Sequence, residues 1–499
     1  MQAPTAWRLA YNGLLLPGAA AFLAAAAPFH AKIAGYRKLR RGWPAALEAA
    51  LRRRPDLAAG DALWVHAASA GEILQAQALL RALRAARPAA PLLLTYTSPS
   101  AAFALERFQG ADLVFPLPLD TPGNVRRWLD ALKPGALALV DAEVWPNLLV
   151  ECARRGIPRA LVSARLAAGA GRLRRLARGF YRELYDLLDL VGCVDWSSAI
   201  RFEGEGARPA ALRVTGDLRV DETLRRSEGV PRASELPLPG ILPFVAAGST
   251  WPDDEAVLLP ALERLRDHGV FLSLVIAPHE TSESRLAELE RALYAAGFTA
   301  GRLSAVRAPA DLLPGRSGPA ERPAGEVEPV AGRPSAPRRR AGRGQIARLG
   351  RLQLELLEPA EEAQAELLDA VIVDRLGLLY RLYAGAAAAY VGGAFRGALH
   401  NVMEPAAFGV PVVTGPRIRK SWVAGEMLRA GGLFPIADVP AAVAVLEHLL
   451  AGEPGARAGE RARSLLLTHS GAAERTLRAL EEVGWLPQSG TEAAIPPES

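Results

Sequence analysis

AAAYVGGAFRGALHNVMEPAAFGVPVVTGP, residues 387–416, is the stretch that most clearly indicates the fold and the chemistry of this chain. An apolar run of strand type ends in Gly392-Gly393, polar residues follow, and a second apolar run closes the stretch. This order predicts a strand, a glycine turn, and a helix whose first turn carries Asn401 and Glu404 on nearly one face.

The polar groups of this stretch suit a nucleotide. Bare backbone N–H groups at a helix start attract an anion, and glycines let a phosphate come close. The Glu404 carboxylate can accept two hydrogen bonds from a vicinal diol such as ribose. The alternative is an ordinary turn in which Asn401 caps the helix and Glu404 interacts with its dipole. The cluster taken together favours nucleotide binding.

Length and composition indicate two core-forming domains in a reducing compartment. A chain of 499 residues is too long for one ordinary domain, and half of its residues are hydrophobic. The formal net charge of +6 points weakly to an anionic partner, and we expect no nucleic acid. Two cysteines make a disulfide framework improbable, and the seven histidines show no zinc-ligand spacing. We therefore expect no metal and no cofactor.

The N-terminus has the composition of a membrane anchor. Residues 9–29 carry no charge, and five basic residues follow within residues 32–41. That length just spans a bilayer core, although Asn12 and two prolines weaken the case. Because the positive charges follow the apolar run, the rest of the chain is expected on the cytoplasmic side of the inner membrane. The alternative is a helix that lies on the membrane face.

Short apolar runs alternate with helix-length stretches throughout the remainder, which predicts an α/β fold with two doubly wound, Rossmann-like domains facing a cleft. The predicted parts are an anchor with its basic flank (1–42), a first domain (43–221), a linker (222–240), a second domain (241–487) interrupted by a disordered insertion (305–348), and a disordered tail (488–499).

Polar residues follow four strands of the first domain, which are the first, second, fourth and fifth along the chain. HAASAGE (66–72) follows the first strand, and Glu72 there could remove a proton from an attacking hydroxyl. Its alternative role is that of an acid near a helix N-terminus. Ser98 follows the second strand, Glu143 and Asn147 the fourth, and Arg165 the fifth. Together these residues predict a pocket for an anionic, polyhydroxy substrate.

Several motifs, in order along the chain, resemble the 3-deoxy-D-manno-octulosonic acid (Kdo) transferases of lipopolysaccharide synthesis. The motifs are HAASAGE, TYTSPS, DAEVWPN, SARL, GDLRVD, AAGSTWPDDE, IAPHE, VGGAFRGALHNVMEP and GVPVVTGP. The resemblance runs from about residue 11 to residue 436, apart from the insertion. It implies a GT-B fold with a membrane-anchoring N-terminus, and transfer of Kdo from CMP-Kdo to the lipid A precursor with inversion.

The resemblance also implies roles for individual residues. Glu72 matches the general base that deprotonates the 6′-hydroxyl of the acceptor, and Arg165 is expected to meet a lipid A phosphate. Asn401 and Glu404 match the pair that holds the ribose or the donor sugar. The implied donor-binding residues are Ser249, Thr250, His279, Gly392, Gly393, Asn401 and Glu404. The implied acceptor-side residues are Ser69, Ser98, Glu143, Asn147 and Arg165.

Two other interpretations of the sequence stay open. The first is a different GT-B enzyme, either a glycosyltransferase with a UDP-sugar donor or a UDP-sugar 2-epimerase. The second is a membrane-tethered binding module without activity. The number of Kdo residues transferred has no obvious residue code in the sequence.

Overall fold

The short apolar runs form two parallel sheets in the structure, which is a computed structural model. The structure describes residues 6–99, 101, 105, 108, 110–141, 143–166, 175–230, 243–270, 272–305, 368–375 and 377–485. Within these residues the chain divides into two compact units, of which the first is Met1–Arg226 with Leu466–Ser499 and the second is Ser227–Leu465. Each unit contains one seven-stranded sheet.

The sheet of the first unit has the strand order β3-β2-β1-β4-β5-β6-β7. Its strands are β1 (Leu63–Ala67), β2 (Leu92–Tyr96), β3 (Leu113–Pro116), β4 (Ala136–Val140), β5 (Arg159–Ala164), β6 (Leu190–Cys193) and β7 (Leu212–Val214). Its helices up to the linker are α1 (Ala6–Ala10), α2 (Leu16–Ala26), α3 (Ala31–Arg40), α4 (Trp43–Arg53), α5 (Ala70–Ala86), α6 (Pro122–Leu132), α7 (Pro146–Arg154), α8 (Arg175–Asp186), α9 (Trp196–Gly204) and α10 (Leu218–Ser227). A π-helical turn (Tyr11–Leu15) joins α1 to α2.

The sheet of the second unit has the strand order β10-β11-β9-β8-β12-β13-β14. Its strands are β8 (Phe244–Thr250), β9 (Ser273–Pro278), β10 (Ala300–Arg302), β11 (Ala370–Ile372), β12 (Ala388–Val391), β13 (Val412–Thr414) and β14 (Leu433–Pro435). Its helices are α11 (Pro252–Asp267), α12 (Glu283–Ala295), α13 (Leu379–Leu382), α14 (Met403–Ala407), α15 (Trp422–Ala430), α16 (Val439–Leu450) and α17 (Glu453–Thr468).

Both faces of each sheet are buried, which explains why the strands are apolar at most positions. Trp64 of β1 belongs to one core cluster, whereas its neighbours Leu63 and Val65 belong to the cluster on the opposite face. Successive side chains of a strand point to opposite faces, so a strand covered on both faces needs apolar residues at most of its positions. Trp64 packs against Trp128 of α6, with ring centroids 5.8 Å apart.

The chain returns to the first unit at its end. Helix α18 (Ala472–Glu482) begins where the Asp221 carboxylate accepts hydrogen bonds from the N–H groups of Gly471 and Ala473, at 2.8 and 2.7 Å. The helix packs on α5 of the same unit. The second domain was predicted to extend to residue 487, whereas contacts between Cα atoms group the chain from Leu466 with the first unit.

Two further boundaries differ from those predicted. Residues 222–227 were predicted to start the linker but belong to α10, where Glu222 is buried and paired with Arg225 at 2.9 Å. Strand β10 was missed because its residues, Ala-Gly-Arg, do not form an apolar run, and β14 was missed because Gly431-Gly432 and Pro435 bracket its two apolar residues. Residues 231–240 of the linker, 306–348 of the insertion and the tail from 488 lie outside the described residues.

One helix among the described residues is long and apolar enough to cross a membrane. It comprises Trp7–Ala26, and none of its residues is buried. We call this segment, made of α1, the π-helical turn and α2, the N-terminal helix. Its length and composition fit the anchor predicted from the sequence, but a helix of this kind near the N-terminus is weak evidence for anchoring.

The close approach of β8 and β12 requires glycine at position 392. A Cβ atom at Gly392 would lie 2.4 Å from the Ser249 carbonyl oxygen and 2.9 Å from Thr250 Cα, and both are backbone atoms. We therefore expect Gly392→Ala to lower the free energy of unfolding of the second unit by about 1–3 kcal/mol, measured by urea denaturation. Gly425→Ala in α15 is the matched control, since its Cβ would meet nothing within 4 Å. Equal unfolding midpoints for the two variants would contradict this account of the β8–β12 contact.

Candidate active site

Glu72 lies where the strand order of the first unit reverses, between β1 and β4. At such a point the connections from adjacent strands leave in opposite directions and open a crevice at the carboxyl ends of the strands. The loop after β1 enters α5 directly, and Glu72 lies in the first turn of that helix. Its carboxylate accepts hydrogen bonds from the Ala68 N–H at 2.5 Å and from the Ser69 hydroxyl at 3.2 Å. The side chain is therefore fixed from its own loop.

A pocket of about 370 Å³ opens at this crevice. It brings together four of the predicted residues, which are distant in the chain, namely Ser69, Glu72, Ser98 and Glu143. The pocket is lined by Leu23, Ile33, Tyr36, Ala68, Ser69, Glu72, Thr97, Ser98, Pro99, Glu143 and Trp145. Polar groups around the carboxylate combined with apolar walls suit a ligand that has both a sugar and a hydrocarbon part.

The Glu72 carboxyl is tuned towards the role of a proton acceptor. Burial raises the pKa of Glu72 to about 7, and the carboxylates of Glu143 and Asp141 add to the increase, whereas the hydrogen bond from the Ala68 N–H opposes it. A base is most effective when its pKa lies near the working pH. Near pH 7 a substantial fraction of Glu72 is ionised and able to take a proton.

A neutral histidine packs against the wall of the pocket. His66 is fully buried in β1, and burial lowers its pKa to about 3, with a further decrease caused by the charge of Arg40. Its Nδ1 lies 2.8 Å from the Thr95 hydroxyl oxygen, and its ring makes an edge contact with Trp145, with centroids 5.6 Å apart. His66 therefore fixes the Trp145 wall and does not itself exchange protons near neutral pH.

Two predicted acceptor-side residues do not line this pocket. The buried Asn147 side chain bonds to Asn12 of the N-terminal helix, at 2.8 and 3.1 Å, and its own N–H donates to Asp120 at 2.9 Å. Arg165 lies 3.8 Å from Asp141. The Asn147 amide is bonded to the N-terminal helix and does not line this pocket, so its predicted place on the acceptor side stays a prediction. Arg165 lies beyond the Glu72 pocket.

Strained backbone marks the same edge of both sheets. Asp141, Ser163 and Ser249 adopt positive φ angles of 64°, 52° and 53°, which non-glycine residues seldom do. Asp141 follows β4, Ser163 lies near the end of β5, and Ser249 lies near the end of β8. Such strain persists where the surrounding structure enforces it, and it is concentrated at functional sites.

Several residues of the first unit were not predicted to belong to its site. Leu23, Ile33 and Tyr36 line the pocket although they belong to the segment predicted as an anchor and its flank. Asp120, which bonds to Tyr11 and Asn147 outside the pocket, follows a strand whose connection contains no recognisable motif. Asn12, a polar residue inside the apolar stretch, is a signal in the sequence that this stretch contacts the folded unit.

The second unit has a corresponding reversal of strand order between β8 and β12. The buried Asp254 carboxylate accepts hydrogen bonds there from the N–H groups of Trp251 and Gly393, both at 2.9 Å, and from the Tyr390 hydroxyl at 2.8 Å. The Gly392 N–H donates to the Gly248 carbonyl at 2.9 Å. The N–H groups of Gly392 and Gly393 therefore already have partners within the unit, and the contact of these glycines with a phosphate stays a prediction.

Thr250 is likewise engaged inside the unit. Its side chain is fully buried, and its hydroxyl donates to Glu255 at 2.7 Å, while Glu255 also pairs with the buried Arg285. A hydroxyl that already donates to a buried carboxylate is poorly placed to hold a ligand. Thr250 thus supports the loop, whereas the neighbouring Ser249 is half-buried.

The Asn401–Glu404 segment differs in detail from the predicted helix. The loop after β12 contains a 3₁₀ turn (Ala394–Arg396), and the five-residue helix α14 begins only at Met403. The Asn401 side-chain oxygen accepts from the Met403 N–H at 3.1 Å, but the N-cap of the helix is Val402, so Asn401 lies one position before the cap that the alternative assigned to it. Glu404 lies in the first turn of α14 and is half-buried.

Three stacked rings lie beside this segment. Trp251, His279 and His400 stack in series, with centroid distances of 4.5 and 4.6 Å. His400 Nε2 is buried and has no hydrogen-bond partner in the described part of the chain. Burial lowers the pKa of His400, and the charge of His279 lowers it further. A neutral imidazole with an unsatisfied buried nitrogen is able to form a hydrogen bond with a ligand that reaches this place.

The effect of the Glu143 charge on the pKa of Glu72 can be tested in the isolated protein. Because the Glu143 carboxylate disfavours charge on Glu72, Glu143→Gln should lower the pKa of Glu72 from about 7, measured by ¹³C NMR titration of the carboxyl carbons. Glu48→Gln, which changes an exposed acid on α4, is the matched control and should leave that pKa unchanged. An unchanged pKa in Glu143→Gln would show that the charge of Glu143 does not tune the carboxyl.

Solved structures that share this fold include UDP-N-acetylglucosamine 2-epimerases. A putative UDP-N-acetylglucosamine 2-epimerase from Listeria monocytogenes superposes with a TM-score of 0.55 at 12% identity, covering 85% of this chain and 96% of that one. UDP-GlcNAc 2-epimerase from Neisseria meningitidis gives a TM-score of 0.54 at 10% identity, covering 84% of this chain and all of that one. At such identities the likeness shows the fold alone, and it confirms the predicted GT-B class.

Sequence relatives identify the family. The family model "3-Deoxy-D-manno-octulosonic-acid transferase (kdotransferase)" matches residues 38–222. The 3-deoxy-D-manno-octulosonic acid transferase of Bordetella pertussis is 31% identical over 438 residues, covering 85% of this chain and 87% of the relative. The enzyme of the same name from Aquifex aeolicus is 25% identical, covering 81% and 90%. With these motifs, this fold and these relatives, the chain belongs to the 3-deoxy-D-manno-octulosonic acid transferase family.

Proposed function

We propose that this protein transfers Kdo from CMP-Kdo to a hydroxyl of the lipid A precursor, with inversion at the anomeric carbon. The observation that carries the proposal is the Glu72 carboxylate, which is held at a strand-order reversal with a pKa near 7 in a pocket that is both polar and apolar. Family membership supplies the class of reaction, and this geometry supplies the base.

In the proposed reaction Glu72 accepts the proton of the acceptor hydroxyl. The hydroxyl oxygen forms a bond to the anomeric carbon of Kdo while the bond from that carbon to the phosphate oxygen breaks. CMP leaves with the bonding electron pair. Ser69 and the Ala68 N–H keep the carboxylate oriented, and hydrogen bonds of this kind prevent the base from rotating away from the hydroxyl.

We assign donor binding to side chains of the second unit. Asn401 and Glu404 are proposed to hold the ribose or the donor sugar, because a half-buried carboxylate can accept from two hydroxyl groups. His279 and Ser249 are proposed to contact the phosphate or the Kdo carboxylate. The buried, unsatisfied Nε2 of His400 beside His279 supports a ligand at this place. The amides of Gly392 and Gly393 bond within the unit and shape the loop.

We place the catalytic units at the cytoplasmic face of the inner membrane. The N-terminal helix is apolar and exposed, and the basic residues Arg37, Lys38 and Arg41 that follow it are exposed as well. An apolar segment with a basic flank binds anionic lipid on the cytoplasmic side. An acceptor with acyl chains is available only at that surface.

Replacing the base should abolish turnover but not binding. We expect Glu72→Gln to lower kcat by about 10²–10⁴-fold at pH 7.5, measured as CMP release and lipid product formation, with the Kd for CMP-Kdo unchanged. In the wild type, kcat/KM should fall as the pH drops below about 7, because protonation removes the base. Glu48→Gln should behave as the wild type. Full turnover by Glu72→Gln, or release of UDP from a UDP-sugar instead of CMP, would contradict the proposed reaction.

The donor assignment predicts a separate effect. Glu404→Gln should raise the Kd for CMP-Kdo by about ten- to a hundredfold, because hydrogen bonds to a charged group contribute about 1.5–3 kcal/mol. Calorimetric titration of the full chain gives the Kd directly. Glu447→Gln, which changes an exposed acid of the same unit, is the control. If both variants bind CMP-Kdo equally well, Glu404 does not hold the donor.

A further inference from the structure

The N-terminal helix is bound to the first unit by a set of polar contacts. The Tyr11 hydroxyl donates to Asp120 at 3.0 Å, and the side chains of Asn12 and Asn147 exchange two hydrogen bonds, at 3.1 and 2.8 Å. Asp120 is buried and also accepts from the N–H groups of Asn147 and Leu148 at the start of α7, both at 2.9 Å. We call these four side chains, Tyr11, Asn12, Asp120 and Asn147, the polar dock.

Apolar contacts reinforce the polar dock on the same side. Trp7 packs edge-on against Phe180 of α8, with centroids 5.0 Å apart, and its ring N–H donates to Glu183. Tyr11 lies 6.1 Å from the same Phe180 ring. The π-helical turn begins at Tyr11, and turns of this type often mark functional sites. The first two turns of the helix are therefore part of the folded unit.

The chain returns to the same unit directly after the helix. Helix α3 places Gly35 against Pro99, where a Cβ atom would lie 3.4 Å from the proline ring. The Arg40 guanidinium donates to the Thr97 carbonyl at 3.1 Å and lies 3.6 Å above the Tyr36 ring. The chain thus contacts the same folded unit at the start of the N-terminal helix and again in α3, directly after the helix ends. A helix that crosses a bilayer has its ends on opposite sides.

The free length of the helix leads to the same conclusion. Once the residues up to Asn12 are docked, residues 13–26 remain, which is about 14 residues or roughly 21 Å at about 1.5 Å per residue. A bilayer core is about 30 Å thick. The exposed large side chains on this helix and just after it, Leu14, Leu15, Phe22 and Phe29, are sufficient to enter one leaflet.

The docked helix and the following helix α3 together form an apolar wall of the Glu72 pocket. Leu23 of α2 and Ile33 and Tyr36 of α3 line the pocket that contains the carboxylate. The apolar surface of the helix is therefore continuous with the apolar wall of the pocket. A lipid whose acyl chains lie along the helix has its polar end beside Glu72.

We propose that the N-terminal helix is a fixed, acceptor-positioning wall of the Glu72 pocket, which the polar dock holds in one membrane leaflet without crossing it. This inference rests on the proposed function for the identity of the acceptor. The occupant of the wall is the acyl-bearing end of that acceptor. Asn12 and Asn147 are positioning residues, since they act through the placement of Leu23, Ile33 and Tyr36.

The test separates positioning from simple tethering. Asn12→Leu removes the amide pair but makes the helix more apolar, so a simple tether would hold the membrane at least as well. We expect Asn12→Leu to raise the KM for a tetra-acylated acceptor at least fivefold, with an unchanged KM for CMP-Kdo, unchanged vesicle flotation and an unchanged thermal unfolding midpoint. Leu23→Ala should shift the same KM without touching the polar dock.

Ala19→Leu is the matched control, because it adds a similar apolar side chain at an exposed position of the same helix. It should leave all four quantities as in the wild type. Equal acceptor KM values for Asn12→Leu and Ala19→Leu would overturn the positioning role. If the wild type transferred no Kdo at all, the proposed function would fail, and the membrane arrangement would still be tested as follows.

A topology measurement tests the arrangement independently of activity. A protease-cleavable tag is fused ahead of Met1 in the full chain, and inside-out inner-membrane vesicles are treated with the protease. A docked helix keeps the tag on the same side as the catalytic units, so we expect cleavage without detergent. Protection of the tag until detergent is added would show that the helix crosses the membrane and would overturn the inference.

Discussion

The parallel arrangement of the strands is the constraint on which the rest of this molecule depends. In a parallel sheet every strand ends at the same edge, and the connections diverge only where the strand order reverses. The two sheets reverse between β1 and β4 and between β8 and β12. At the carboxyl ends of these strands lie Glu72 with Glu143 in one unit and Ser249 with Gly392 in the other. Residues far apart in sequence therefore meet without any further device.

At the first reversal, burial and hydrogen bonding act on Glu72 in opposite directions, and their balance gives the carboxyl its function. Burial and the neighbouring Glu143 raise its pKa, whereas the Ala68 N–H stabilises the charged form. A carboxylate with several such donors would remain a weak base, and one without any would be protonated and loosely held. The short loop before α5 supplies one backbone donor and one hydroxyl, which orient the group while leaving its pKa near neutrality.

The sequence predicted most of the strands, the class of fold and the convergence of Ser69, Glu72, Ser98 and Glu143, because all of these follow from periodicity and from the shared edge of a parallel sheet. It failed where a side chain depends on a distant partner. Asn147 faces Asn12, which lies 135 positions away, and the Gly393 N–H faces Asp254, 139 positions away. Local patterns contain no information about such pairs. The edge strands β10 and β14 were missed for a different reason, since glycine, arginine or proline interrupts their apolar pattern.

The N–H groups of Gly392 and Gly393 already have hydrogen-bond partners, which limits how the proposed donor site can bind a phosphate. A phosphate that cannot use backbone N–H groups needs side chains, and the groups nearest this loop are the stacked Trp251, His279 and His400. Because burial lowers the pKa of His400, that ring carries no positive charge near neutral pH. In the donor site that we propose, recognition then relies on directed hydrogen bonds from stacked rings, which hold a ligand in one orientation. Backbone amides at a helix start would instead attract any anion.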